Sequence, residues 1–355
     1  MRTIGIVTGG GDAPGLHAVI RAAVKTAVGE FGMRVVGIED SFEGLLGETH
    51  VRELKASDVR GLLPRGGTIL GTRNRGSFVV RQKDGTDMMP DEVYQEALDN
   101  LERLSIDAVV AIGGEGTLAI AYEFHRRGVP VVAVPKTIDN DLAATELTFG
   151  FMTALDISTE ALDRLHTTAE SHDRVMVLEV MGRHAGWIAA YGGIAGGADV
   201  IIVPEHPFKL SRVCELLNHR KSQGSAFSIV VAAEDARPHP DEDFLGDEVR
   251  SQIYQHGRLG GIGYYLAREI ERETGIETRH ANLGYVQRGG SPSAFDRVLA
   301  TRFGVKAFEM ILEKRWGQMV SLRGNKMACV PLDDAVRRIK YLDEEIYHVA
   351  EVFFH

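Results

Sequence analysis

Short apolar runs alternate with helix-length amphipathic segments along most of this chain. Residues 4–7, 35–38, 108–112 and 131–134 are strand-like, and residues 16–28, 91–104 and 118–127 carry apolar positions at helical spacing. This is a βαβ rhythm, which predicts a parallel sheet. A second series follows, with strands over 175–180, 200–203 and 227–232 separated by helical stretches from Trp187 and from Leu210. The predicted fold class is α/β, two lobes each built on a largely parallel sheet flanked by helices. Residues 153–169 read as a long helix bridging the layers, with Leu155, Leu162 and Leu165 on one face. Residues 236–247, rich in proline and acid, read as a loop.

The 355 residues, 44% hydrophobic and 25% charged, exceed the size at which single cores stop growing, so two domains are expected. A net charge of −10 argues against broad phosphate-backbone binding, and nucleic acid is not an expected partner. The two cysteines, Cys214 and Cys329, lie far apart without metal-ligand spacing, which supports neither a disulfide framework nor a zinc site. No apolar stretch has the length of a membrane span or the form of a signal peptide, so a cytoplasmic chain without membrane partners is the expectation.

Candidate chemistry concentrates at strand ends. Gly9, Gly10, Gly11, Asp12, Ala13, Pro14 and Gly15 follow the first strand and precede a helix, with Pro14 suited to its first turn. Glycine admits an anion to the backbone and a helix N-terminus offers free N–H groups, so the turn is a phosphate cradle or a tight strand-to-helix connection. A similar turn, Gly113, Gly114, Glu115, Gly116, Thr117, places an acid among glycines, suited to Mg2+ beside phosphate or to a helix start. In Pro135, Lys136, Thr137, Ile138, Asp139, Asn140, Asp141, Val134-Pro135 reads as strand exit. The two aspartates, at i and i+2 of an extended segment, face one cleft as base and partner; a polar turn is the alternative. Arg183, in Met181, Gly182, Arg183, His184, Ala185, Gly186, Trp187, follows a strand and has rigid charge-assisted donors suited to phosphoryl oxygens, as have Arg174, Arg279 and Arg288; scattered surface arginine is the alternative for each. Glu234, at a strand terminus, accepts sugar hydroxyls or is simply solvated.

Together with Gln287, Arg288, Gly289, Gly290, which holds the last of those arginines, these make five motifs that in order and spacing resemble the 6-phosphofructokinases over nearly the whole chain. The resemblance implies residues 1–149 with about 287–337 as a nucleotide-binding lobe and 150–286 with about 338–355 as a sugar-phosphate lobe. It implies transfer of phosphoryl from MgATP to the 1-hydroxyl of fructose 6-phosphate. Asp139 is then the base, Thr137 orients the phosphoryl group, Asp141 and Glu115 serve Mg2+, and Arg183 steadies transition-state charge. Gly10, Gly11, Gly116 and Thr117 match donor-contacting positions. Met181, Gly182, Glu234 and Arg288 match sugar-phosphate contacts, and Arg174 and Arg279 match residues reaching the 6-phosphate from a neighbouring subunit. A homodimer or homotetramer sharing its site follows from that last match.

The donor cues conflict. Gly116 leaves open the space that an Asp fills in pyrophosphate-using relatives, which favours ATP, whereas Lys136 stands where many ATP enzymes carry glycine and suits pyrophosphate or a product phosphate. Tyr285 replaces a histidine that often contacts the sugar phosphate. The first-lobe arginine near the donor falls in Gly71, Thr72, Arg73, Asn74, Arg75, with Arg73 or Arg75 as its substitute. Pyrophosphate-dependent phosphotransfer, a kinase of the NAD or diacylglycerol type and a non-enzymatic nucleotide or sugar-phosphate sensor are the competing readings.

Overall fold

The computed structural model describes residues 2–74, 76–81, 87–242, 245–255 and 258–354. The chain opens with β1 (Thr3–Thr8), α1 (Leu16–Phe31), β2 (Arg34–Ile38), β3 (Val51–Glu53), β4 (Val80–Arg81), β5 (Asp87–Met88) and α2 (Asp91–Arg103). It continues through β6 (Ala108–Gly113), α3 (Glu115–Arg126), β7 (Val131–Thr137), β8 (Phe149–Gly150), α4 (Phe151–Ser171), β9 (Val175–Val180), α5 (Trp187–Ala195), β10 (Val200–Ile202) and α6 (Leu210–Ser222). Next come β11 (Ser228–Ala233), α7 (Asp247–Ile253), β12 (Tyr254–Gln255), β13 (Arg258–Leu259), α8 (Ile262–Thr274), β14 (Thr278–Asn282) and α9 (Ala294–Leu312). It closes with β15 (Gln318–Arg323), β16 (Lys326–Pro331), α10 (Leu332–Val336) and α11 (Glu344–Glu351).

Contacts divide the chain into two units. The first comprises Met1–Ile138, Leu142–Met152 and Arg288–Ile339, the second Asp139–Asp141, Thr153–Gln287 and Lys340–His355. The main sheet of the first unit has the order β16-β15-β7-β6-β1-β2-β3, with β8 pairing β7. Its inner pairs are parallel, and only β3 and β16 run antiparallel to their neighbours at the edges.

Both faces of this sheet are apolar, and strand alternation shows why. Val110, Ile112, Val132 and Val134 belong to the core formed with α1 and α9, whereas Val109, Ala111, Val131 and Ala133 belong to the core formed with α2 and α3. A strand buried on both sides has no polar face to spare, so it reads as a continuous apolar run. The second unit repeats the scheme on an all-parallel sheet of order β10-β11-β9-β14, with α6, α7 and α8 packed on Val175, Val177, Val200, Val230 and their neighbours.

Three local expectations are corrected. Pro135 does not end its strand: β7 continues to Thr137, with Pro135 opposite Gly113 and Lys136 and Thr137 opposite Phe149 and Gly150. A proline removes one donor, and the ladder survives because the short β8 takes up pairing just beyond it. The segment after β7 is not extended, since Asn140 has φ 52°, so Asp139 and Asp141 owe their placement to a turn and not to strand alternation. Pro14 precedes α1; the cap is Gly15 at φ 109°, a conformation that glycine adopts without strain.

Candidate active site

In the first unit the C-terminal ends of β1, β6 and β7 meet at the two glycine turns. Gly9 and Gly113, following and ending parallel neighbours, leave room for Thr117: a Cβ on Gly9 would lie 2.6 Å from the Thr117 Oγ1. Thr117 is thereby buried between the two turns. The Gly10 N–H donates to the Arg73 carbonyl at 3.1 Å, and the Thr72 hydroxyl donates to the Gly10 carbonyl at 2.5 Å, so the loop around 72–73 fixes the first turn. Arg73 itself pairs with Asp40 at 3.4 Å, both side chains about half exposed. Arg75 lies outside the described residues.

Two cations converge on Gly11. The ammonium of Lys136, a side chain only 3% exposed, donates to the Gly11 carbonyl. The Arg288 guanidinium lies against the same residue, 2.7 Å from where a Cβ would stand. A backbone turn at a strand end, flanked by an ammonium and a guanidinium, is built for phosphoryl oxygens. Arg288, expected with the sugar phosphate, thus meets Gly11, expected with the donor. Glu115 and Gly116 are exposed in the first turn of α3, and a Cβ on Gly116 would meet nothing within 4 Å. The backbone of Gly114 packs against the strand end that carries Thr137, which is buried.

In the second unit Asp139 and Asp141 are 4% and 7% exposed, with Asn140 buried between them. Glu234, directly after β11, is buried too, and its carboxyl is pushed up to about 7. Burial is the largest cause, and the negative charge of Asp139 adds to it, while the N–H groups of Arg183 and Gly182 pull the other way. Those donors reach one Glu234 oxygen at 3.0 and 3.3 Å. Met181, Gly182 and Arg183 form the turn after β9, with Arg183 in the left-handed region at φ 51° and its side chain outward. His184 pairs with Asp235 at 2.7 Å, which raises the imidazole above its ordinary value.

Arg174 and Arg279, beside parallel neighbours β9 and β14, share one carboxylate: Glu277 Oε1 lies 3.2 Å from one guanidinium and 2.9 Å from the other. Tyr285 is 75% exposed. Sequence reasoning assigned no role to Gln287, which is fully buried; it accepts the Met181 N–H at 2.8 Å and donates to the Ser158 hydroxyl at 2.7 Å. A glutamine next to the glycine-rich Arg288 loop gave no signal of burial. Glu179 was missed for the same reason: inside β9 it accepts from Gly261, Gly263 and Asn282.

Among the described residues no group of three or more His, Cys, Asp or Glu side chains could cage a metal. Mg2+ needs no such cage, being commonly held by one or two carboxylates plus substrate phosphates.

One unit carries a cationic glycine turn, and the other buried acids beside an arginine-bearing turn, a residue inventory suited to phosphoryl groups. The phosphofructokinase family model matches residues 3–311, and the chain belongs to that family of phosphotransferases. It is 54% identical over 332 residues to the ATP-dependent 6-phosphofructokinase of Chloroflexus aggregans, covering 94% of this chain and 90% of that one. It is 49% identical over 353 residues to the pyrophosphate–fructose 6-phosphate 1-phosphotransferase of Streptomyces coelicolor, covering 99% of each. The solved phosphofructokinase of Saccharomyces cerevisiae matches 99% of this chain with a TM-score of 0.80 at 30% identity, and this chain spans 47% of the yeast one. Among the described residues no helix is long and apolar enough to cross a membrane.

Proposed function

We propose that the chain transfers the γ-phosphoryl group of MgATP to the 1-hydroxyl of fructose 6-phosphate, giving fructose 1,6-bisphosphate and ADP, as a cytoplasmic homo-oligomer. The observation that carries the reading is the convergence of Lys136 and Arg288 on the Gly11 turn, in a chain of the phosphofructokinase family.

The Asp139 carboxylate takes the hydroxyl proton as that oxygen attacks the γ-phosphorus in line, and the β–γ bridging oxygen departs with ADP. Gly10, Gly11, Thr117 and Lys136 hold donor oxygens, with Arg73 beside the turn, and Thr137 orients the phosphoryl group in flight. Arg183 stabilises the charge that builds on the equatorial oxygens. Met181, Gly182, Glu234 and Tyr285 hold the sugar phosphate, Arg288 reaches it from beside the donor turn, and Arg174 and Arg279 reach the 6-phosphate of a neighbouring subunit, so at least a dimer is required. Glu115 and Asp141 would hold Mg2+, whose charge neutralises the donor phosphates.

ATP as donor is supported by the open space beside Gly116 and by the name of the Chloroflexus relative. Pyrophosphate is the second reading, favoured by the buried Lys136 ammonium against Gly11. The deciding experiment incubates purified protein with fructose 6-phosphate, Mg2+ and either ATP or pyrophosphate, and measures bisphosphate. Product from ATP alone supports the first reading, product from pyrophosphate alone the second. Product from neither sinks both and leaves a sensor or another acceptor.

A further inference from the structure

We infer that Lys340 is a positioning residue that clamps the Asp139–Asp141 turn, a conclusion that rests on the reading of Asp139 as the base. Lys340 touches that turn through both its backbone and its side chain. Its backbone N–H donates to the Asp141 carbonyl at 2.8 Å, and its ammonium donates to the Asn140 side-chain oxygen at 3.0 Å. Asn140 is the residue between the two acids, 1% exposed and in the left-handed region at φ 52°. Asparagine enters that region more readily than other non-glycine residues, and a fixed partner holds it there. A charge-assisted hydrogen bond out of bulk water is a strong constraint of that kind.

Lys340 is itself fixed from the other side. The Trp187 indole N–H donates to the Lys340 carbonyl at 2.9 Å, and the Lys340 ammonium lies 5.0 Å from the centre of the same ring. Two residues on, the Leu342 N–H donates to Glu205 at 2.9 Å, and Glu205 also accepts the Gly186 N–H at 2.9 Å. Trp187 and Gly186 directly follow the turn that carries Arg183. The segment from Lys340 onward therefore ties the turn of the two acids to the start of α5, all within the second unit. No motif of the sequence includes Lys340, and Arg337 and Arg338 beside it give it no distinguishing context.

The test compares Lys340→Met, which keeps the stem and the backbone N–H, with Lys340→Arg, Asn140→Gly and the Lys340→Met/Asn140→Gly pair. Bisphosphate formation, thermal melting and hydrogen exchange of residues 138–142 are measured on the full chain. Lys340→Met is expected to lower kcat about 10- to 100-fold, with both KM values within about 3-fold, and to raise exchange over 138–142 about 10-fold while melting hardly moves. Lys340→Arg recovers most of both losses. Glycine adopts the left-handed backbone unaided, so the paired variant loses less than the product of the single losses. Wild-type kcat or unchanged exchange in Lys340→Met, or independent losses in the pair, overturns the clamp. A wild-type protein that forms no bisphosphate overturns the reading of Asp139 instead, and the exchange arm still decides whether Lys340 holds the turn.

Discussion

Glu234 accepts the backbone N–H of Arg183 at 3.0 Å and so fixes the left-handed turn that aims the Arg183 side chain. The carboxyl that does this titrates at about 7 in the folded chain, against an ordinary value of 4.5. Because folding raises the value, the native state favours the protonated form. The stability it contributes is fully present below about 4.5 and is lost as pH rises through about 7. Between pH 5 and 8 the wild-type protein should lose about 2–3 kcal/mol relative to Glu234→Gln, which keeps an acceptor oxygen and does not titrate. Chemical denaturation of both proteins across that range checks it, and parallel pH profiles would refute it.

Asp139 contributes to that same upward push, which gives its removal a second signature. Asp139→Asn should cut turnover about 10²- to 10⁴-fold, the usual worth of a general base. It should also shrink the Glu234-linked stability loss and end it at a lower pH, because the negative charge that opposes ionisation of Glu234 in the folded chain is gone. Steady-state kinetics and the denaturation profile read the two effects separately. Retained turnover would remove Asp139 from the base role.

Gly11 is a test of the cationic turn. An added methyl would lie 2.7 Å from the Arg288 guanidinium, the far end of a flexible side chain that can swing away. Gly11→Ala should therefore lower kcat/KM at least about 10-fold while shifting the melting temperature by only a few degrees. A stability loss as large as the activity loss would mean that the turn serves folding rather than phosphate.

The strands buried on both faces were legible because every residue of β1, β6, β7, β9 and β11 is buried, which leaves runs that are apolar over most of their length, Glu179 in β9 and Lys136 in β7 standing out as charged exceptions. The edges were not. β3 (Val51–Glu53) and β16 (Lys326–Pro331) carry charge and partial exposure, which a periodicity search reads as loop. At the site, glycines and acids announced themselves by type, but the conformation that arranges them did not. Asn140 at φ 52° replaced the expected strand alternation of Asp139 and Asp141, and it depends on Lys340, two hundred residues away in sequence. Gln287 and Glu179 were equally silent, since a buried polar side chain satisfied by backbone N–H groups looks in sequence like an exposed one.

Gly116 offers a test of the donor. It is the second residue of α3, exposed, with nothing within 4 Å of where a Cβ would stand. An aspartate there meets no steric obstacle and sits in the first helical turn, where negative charge is favourable by about 0.3–1 kcal/mol. Gly116→Asp should therefore fold as well as the wild-type chain, so any loss of activity reports on the ligand and not on the scaffold. If ATP occupies the space beside this turn, the new carboxylate opposes its phosphates through both bulk and charge. The KM for ATP should then rise at least about 10-fold, or ATP turnover vanish, while binding of fructose 6-phosphate is kept. Calorimetric titration with each ligand, alongside a melting curve, separates these effects. A Gly116→Asp protein that turns over ATP as the wild type does would show that the space beside α3 is not where the nucleotide lies.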